Sequence, residues 1–115
     1  GPVWRLARVR FIDDAPAVFE TIFLAVARFA RLDHMEVPNN LYRLYATRFG
    51  VTVAHAVERL KAAAASPEDA SHLGCRPSTP LLQVDRVAHG LDDLPVERRI
   101  SRCLTERAHY LSDLR

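Results

Sequence analysis

These 115 residues predict an α+β domain: an antiparallel sheet flanked by helices, with the helices packed on one side of it. Strand-like alternation occupies both ends of the chain. Two helix-start signatures lie between them. Two turn sequences join neighbouring strand candidates into hairpins.

The first strand covers residues 4–12, where Trp4, Leu6, Arg8, Arg10 and Ile12 fall on one face and Arg5, Ala7, Val9 and Phe11 on the other. Asp13-Asp14-Ala15-Pro16 is a turn, because Asp bonds its own backbone and Pro fixes φ. A second strand follows over residues 18–27, carrying Phe19, Ile22, Phe23 and Val26, and this hairpin sets Glu20 beside the strand of Arg8 and Arg10. A helix is expected over residues 39–49, with Asn as its cap, Leu41, Leu44, Tyr45 and Phe49 at helical spacing, and Gly50 as its stop. Residues 51–64 are mixed, since the valines favour a strand and the alanine run a helix; the β-branched start after Gly50 decides for a long strand. Ser66-Pro67-Glu68-Asp69 starts a short helix that Gly74 ends. Residues 81–89 and 96–104 form a second hairpin across Gly90-Leu91-Asp92-Asp93-Leu94-Pro95, and Glu97, Arg99, Ser101 and Cys103 share a face of the last strand. The order is β-β-α-β-α-β-β in one domain over residues 1–115.

Composition narrows the function. A net charge of +2 is too small to argue for a nucleic-acid surface. Of the sixteen basic residues only Lys61 is a lysine, a bias that GC-rich coding explains as a whole, so each arginine is argued from its position. No run reaches a membrane helix's length, the opening residues lack the layout of an export signal, and a cytoplasmic location is expected. Cys75 and Cys103 are then expected as free thiols. The five histidines lack metal-ligand spacing, no nucleophile elbow holds a serine, and no glycine-rich loop cradles a phosphate, so neither cofactor nor metal is expected.

Arg8-Val9-Arg10 with Asp14-Ala15-Pro16 and Glu20, Asn40-Leu41-Tyr42 through Phe49-Gly50-Val51, Pro67-Glu68-Asp69-Ala70 with Leu73-Gly74-Cys75, Pro80 through Val87, Leu94-Pro95-Val96-Glu97 and Glu106 through Tyr110 occur in a fixed order. In that order and spacing the chain resembles the UTRA domain of HutC-class GntR regulators. The resemblance implies a chorismate lyase-like fold and a non-enzymatic domain that senses a small anionic or polar metabolite. It implies a homodimer, and DNA contact only through a winged helix-turn-helix absent from this sequence. The family domain also carries an opening segment before the Trp4 strand, so the resemblance spans roughly its C-terminal three-quarters. Cys103 stands where several relatives carry Tyr, which removes a hydrogen-bond donor.

By position, the resemblance points to Arg8, Arg10, Glu20 and Glu97 as ligand-binding residues. Arg8 and Arg10 lie two apart on a strand, so both guanidiniums point to one side, where two forks can hold a carboxylate or phosphate. The plainer alternative for the two arginines is a solvated face or pairing with Glu20, and for Glu97 a cross-strand ion pair with one of the many arginines. Arg86 and Arg107 are expected to tie strand ends together, and His109-Tyr110 to be a surface or interface pair. Two other functions compete with sensing: a chorismate lyase-type enzyme, and a dimerisation-only domain pairing through exposed Val51 and Val53.

Overall fold

The computed structural model describes residues 1–111. Strand β1 (Val3–Ile12) turns through Asp13 and Asp14 into β2 (Ala15–Ala25). Both aspartates have positive φ, 50° and 63°, the backbone twist that matches the flanking strands in a two-residue hairpin. A 3-10 turn at Leu32–His34 leads to helix α1 (Leu41–Phe49), then to β3 (Val53–Ala64), helix α2 (Pro67–Leu73), β4 (Pro80–Gly90) and β5 (Pro95–Leu104). All pairings are antiparallel, in the order β1-β2-β5-β4-β3. The predicted element order is the observed one.

Both helices start and stop where their caps dictate. The Asn40 side chain accepts from the Arg43 amide, and Gly50 closes α1 at φ 64°. Ser66 and Asp69 cap α2 reciprocally, each side chain accepting from the other's backbone amide.

The helices do not share a side of the sheet, contrary to the sequence expectation. Helix α1 seats Leu41, Leu44 and Tyr45 against Ile22, Leu24 and Ala88, with Phe29, Leu32, Trp4 and Leu6 around them. On the opposite face, Leu73 of α2 joins Phe19, Leu81 and Leu104, with Val9 and Cys75 beside them. The reason lies in β2, which buries Ile22 and Leu24 on one side and Ala17 and Phe19 on the other. A central strand that is apolar on both faces needs cover on both.

Strand β3 lies at the edge of the sheet, with one side of its backbone unpaired among the described residues. Val51 is buried beneath α1 and Val53 packs against the same core, so neither is the exposed apolar position the sequence suggested. Val57 and Leu60 hold that place instead, 52% and 45% exposed. No helix among the described residues is long and apolar enough to cross a membrane.

The two-sided core makes α2 essential despite its length. Leu73→Ala, at a fully buried position, is expected to cost about 2–5 kcal/mol in urea unfolding. Val57→Ser should stay within about 0.5 kcal/mol of the parent protein.

Candidate functional site

The pleat decides which side chains meet. Arg8 pairs across to Glu20, Glu20 to Ser101, Ile22 to Arg99 and Leu24 to Glu97, so the polar members of this set lie on the α1 face. On β4, Arg86 stands opposite Arg99, and on β3 Glu58 stands opposite Arg86. Arg98 and Arg102 alternate to the other face, where they pair with Asp85 and Asp69.

Beneath α1 these groups form a continuous ladder. The Tyr45 hydroxyl donates to Glu97 Oε2 at 2.5 Å. Arg99 grips the same carboxylate with two donors, at 3.0 and 2.9 Å, a bidentate geometry that favours the ionised pair. A further Arg99 nitrogen lies 3.6 Å from Glu20 Oε2. Arg8 donates through Nε to Glu20 Oε1 at 2.7 Å, and Ser101 reaches the second oxygen at 3.5 Å. Burial, then the Glu97 charge, drives the Tyr45 pKa far upward, so its hydroxyl stays protonated and donates. Burial opposes the Arg99 charge, but the Glu97 hydrogen bonds together with the Glu97 and Glu20 charges outweigh it and the net shift is upward.

The upper ends of the ladder reach open space. A cavity of about 400 Å³ is lined by Arg10, Asn39, Asn40, Tyr42, Arg86 and Arg99. A neighbouring trough of about 680 Å³ runs along β1 past Leu6, Arg8, Arg10 and Phe11 to Val37 and Asn39. Arg10 and Asn39 line both. The first turn of α1 borders the smaller cavity, and amides at a helix start attract anions. Tyr42 supports two of the guanidiniums: Arg99 lies 5.5 Å from its ring centre, and Arg86 donates to its hydroxyl at 3.3 Å. Arg8 is held at the rim by the Pro38 and Asn39 carbonyls, at 3.4 and 3.3 Å.

All four residues singled out from sequence thus point to one side of the sheet. Arg8 and Glu20 are paired with each other, as the plainer reading allowed. Arg10 is exposed at the cavity, with no carboxylate partner among the described residues. Glu97 is 2% exposed and lies below the cavity, with its oxygens already occupied. Sequence reasoning passed over Arg99 and Tyr42 and assigned Arg86 a tying role. The period-2 register from Glu97 was the available signal for Arg99. Arg107 does tie, donating to the Pro16 carbonyl at 2.8 Å. Cys103 is half-buried, and burial followed by the nearby Glu20 charge pushes its thiol pKa up. No group of three or more His, Cys, Asp or Glu among the described residues is placed to hold a metal.

A family model of the UTRA domain matches residues 1–109. The structure is similar to the ligand-binding domain of a GntR-family transcriptional regulator from Bordetella bronchiseptica, at 36% identity and TM-score 0.89, covering 98% of this chain and 74% of that one. It is similar to the effector domain of PhnF from Mycobacterium smegmatis, at 26% identity and TM-score 0.92, covering 99% and 70%. Among curated proteins, it is 26% identical over 95 residues to the "Probable fructoselysine utilization operon transcriptional repressor" of Escherichia coli (strain K12), covering 82% of this chain and 39% of that protein. The chain thus spans about two fifths of the length of that relative.

The ladder sets an order of costs. Glu97→Ala strands a buried guanidinium and is expected to cost about 3–5 kcal/mol in denaturant unfolding. Tyr45→Phe removes one donor and should cost about 1–3 kcal/mol.

Proposed function

The chain belongs to the UTRA domain family, the effector-binding domain of GntR-family transcriptional regulators, and we propose that its effector is a small anion held in the cavity between α1 and the sheet. The observation that carries this reading is the convergence of Arg10, Arg86 and Arg99 on one recess beside a helix start. Arg10 makes the direct contact, because no carboxylate among the described residues competes for it. Arg86 and Arg99 add donors that their partners hold in place. Arg8 and Glu20 frame the rim. Glu97 acts from below, by fixing Arg99.

A carboxylate or phosphate suits this lining, since guanidinium forks match the geometry of both. The response is a population shift: a ligand that prefers one arrangement of the protein moves the equilibrium by its differential affinity. In the whole protein the shift acts on a DNA-reading domain outside these residues, in a cytoplasmic homodimer on a two-fold operator. The edge of β3, unpaired among the described residues and with Val57 and Leu60 exposed, supports pairing between copies.

Catalysis is not proposed. Glu20 and Glu97 spend their oxygens on arginine, serine and tyrosine donors, which leaves neither as a proton donor. Conversion of chorismate to 4-hydroxybenzoate by the purified chain would overturn that reading.

The direct test is a thermal-shift screen with sugar phosphates, amino acids and dicarboxylates. Saturable stabilisation of roughly 10 °C is expected from a cognate anion at a hundredfold excess over Kd. Arg10→Ala should weaken binding roughly tenfold or more without lowering the unliganded Tm. Flat melting curves across the whole screen would contradict the proposal.

A further inference from the structure

One wall of the cavity is tied to the C-terminal segment. After β5 the chain turns at residues 105–107, where the amides of Arg107 and Ala108 donate to the Leu104 carbonyl and the Arg107 side chain anchors to Pro16. It then runs back to the far edge of the sheet. There the Tyr110 hydroxyl donates to Glu58 Oε1 at 2.6 Å. The other oxygen of Glu58 accepts from Arg86 Nε at 2.9 Å. Arg86 in turn lines the cavity and touches Tyr42 on α1. A single carboxylate therefore divides itself between the tail and a cavity arginine, one oxygen for each.

Charge makes the division matter. Four guanidiniums, of Arg8, Arg10, Arg86 and Arg99, are set against three carboxylates, of Glu20, Glu58 and Glu97. Glu20 and Glu97 lie within the ladder and are almost wholly buried. Glu58 is the partner that an incoming anion must displace or share if it is to recruit Arg86. Burial pushes the Glu58 pKa up, but the hydrogen bonds from Tyr110 and Arg86 together with the Arg86 charge outweigh it and the net shift is down. The carboxylate thus stays ionised at neutral pH and competes fully with the ligand.

We propose that Glu58 and Tyr110 are positioning residues of the effector site, setting through Arg86 how strongly the cavity holds an anion. Tyr110 engages Oε1 of Glu58 while Arg86 Nε engages Oε2, an arrangement that leaves the rest of the Arg86 fork for the cavity. Without the phenol, both oxygens turn to Arg86 and draw it into a bidentate pair away from the ligand. Without the carboxylate charge, Arg86 is released to the ligand. The two changes act in opposite directions, which a merely structural role would not produce. The inference rests on the reading of the cavity as an anion site.

The test titrates inorganic phosphate into the whole chain, following binding by calorimetry and the Arg86 Nε–Hε resonance by NMR. Glu58→Gln is expected to tighten phosphate about fivefold, the scale of one partly exposed ion pair. Tyr110→Phe should weaken it about two- to threefold, by the same scale. The Arg86 resonance should shift on phosphate addition, and Glu58→Gln should enlarge that shift. Should phosphate bind the parent chain while both variants match it, or change in the same direction, the positioning role is overturned and the anion site stands. If phosphate binds neither the parent nor the variants, the anion-site reading falls and takes this inference with it. Melting temperatures of both variants within a few degrees of the parent confirm that affinity, and not folding, is being read.

Discussion

A carboxylate taken out of water between a guanidinium and a phenol organises the α1 face of this domain. Glu97 is fixed by Arg99 on its own strand and by Tyr45 from the helix above. Moving such charges out of water costs several kcal/mol each, and only good geometry and full hydrogen bonding offset it. The bidentate grip and the phenolic donor meet that requirement. The same contacts hold the helix in register over the sheet. Apolar packing of Leu41, Leu44 and Phe29 presses α1 down but is not directional. The Tyr45–Glu97 hydrogen bond is directional, and it fixes where Tyr42 and the helix start come to rest.

From that fixed point the charges alternate outward: Glu97, Arg99, Glu20, Arg8. Each guanidinium is held by a carboxylate beneath or beside it, so the donors facing the cavity are ordered before any ligand arrives. Preordered donors lose less entropy on binding than flexible ones. Arg10 differs, being exposed and without a carboxylate partner among the described residues. The site therefore combines a hydrogen-bonded floor with an exposed contact at its mouth. The second face, held by Phe19, Leu73, Leu81 and Leu104, adds stability without touching the cavity.

Much of this architecture could be read from residue types. Caps and stops at Asn40, Gly50, Ser66 and Gly74 are local chemistry and need no tertiary knowledge. Alternation gave the faces of β1 and β5, whereas the shared side of Arg8, Arg10, Glu20 and Glu97 follows from the register of both strands across β2. Placing both helices on one side overlooked β2, whose run from Ala17 to Ala25 is apolar in both registers and so calls for two covers. Val51 looked exposed because its position relative to Gly50 suggested a strand, yet the αL turn at Gly50 tucks it beneath α1. The depth of Glu97 depends on how closely α1 approaches the sheet, which no local pattern encodes. Arg86 meets Tyr42 across 44 residues of chain and Tyr110 meets Glu58 across 52, and alternation alone cannot bring them together.

Whether the buried clamp truly orders the cavity can be read from the arginine Nε–Hε resonances of the free and anion-titrated domain. A slowly exchanging, downfield Arg99 signal is expected to persist throughout the titration, with saturable movement of Arg10 as the anion binds. An Arg99 signal averaged with solvent in the free domain, or anion-induced shifts confined to Arg98 and Arg102 on the opposite face, would contradict it.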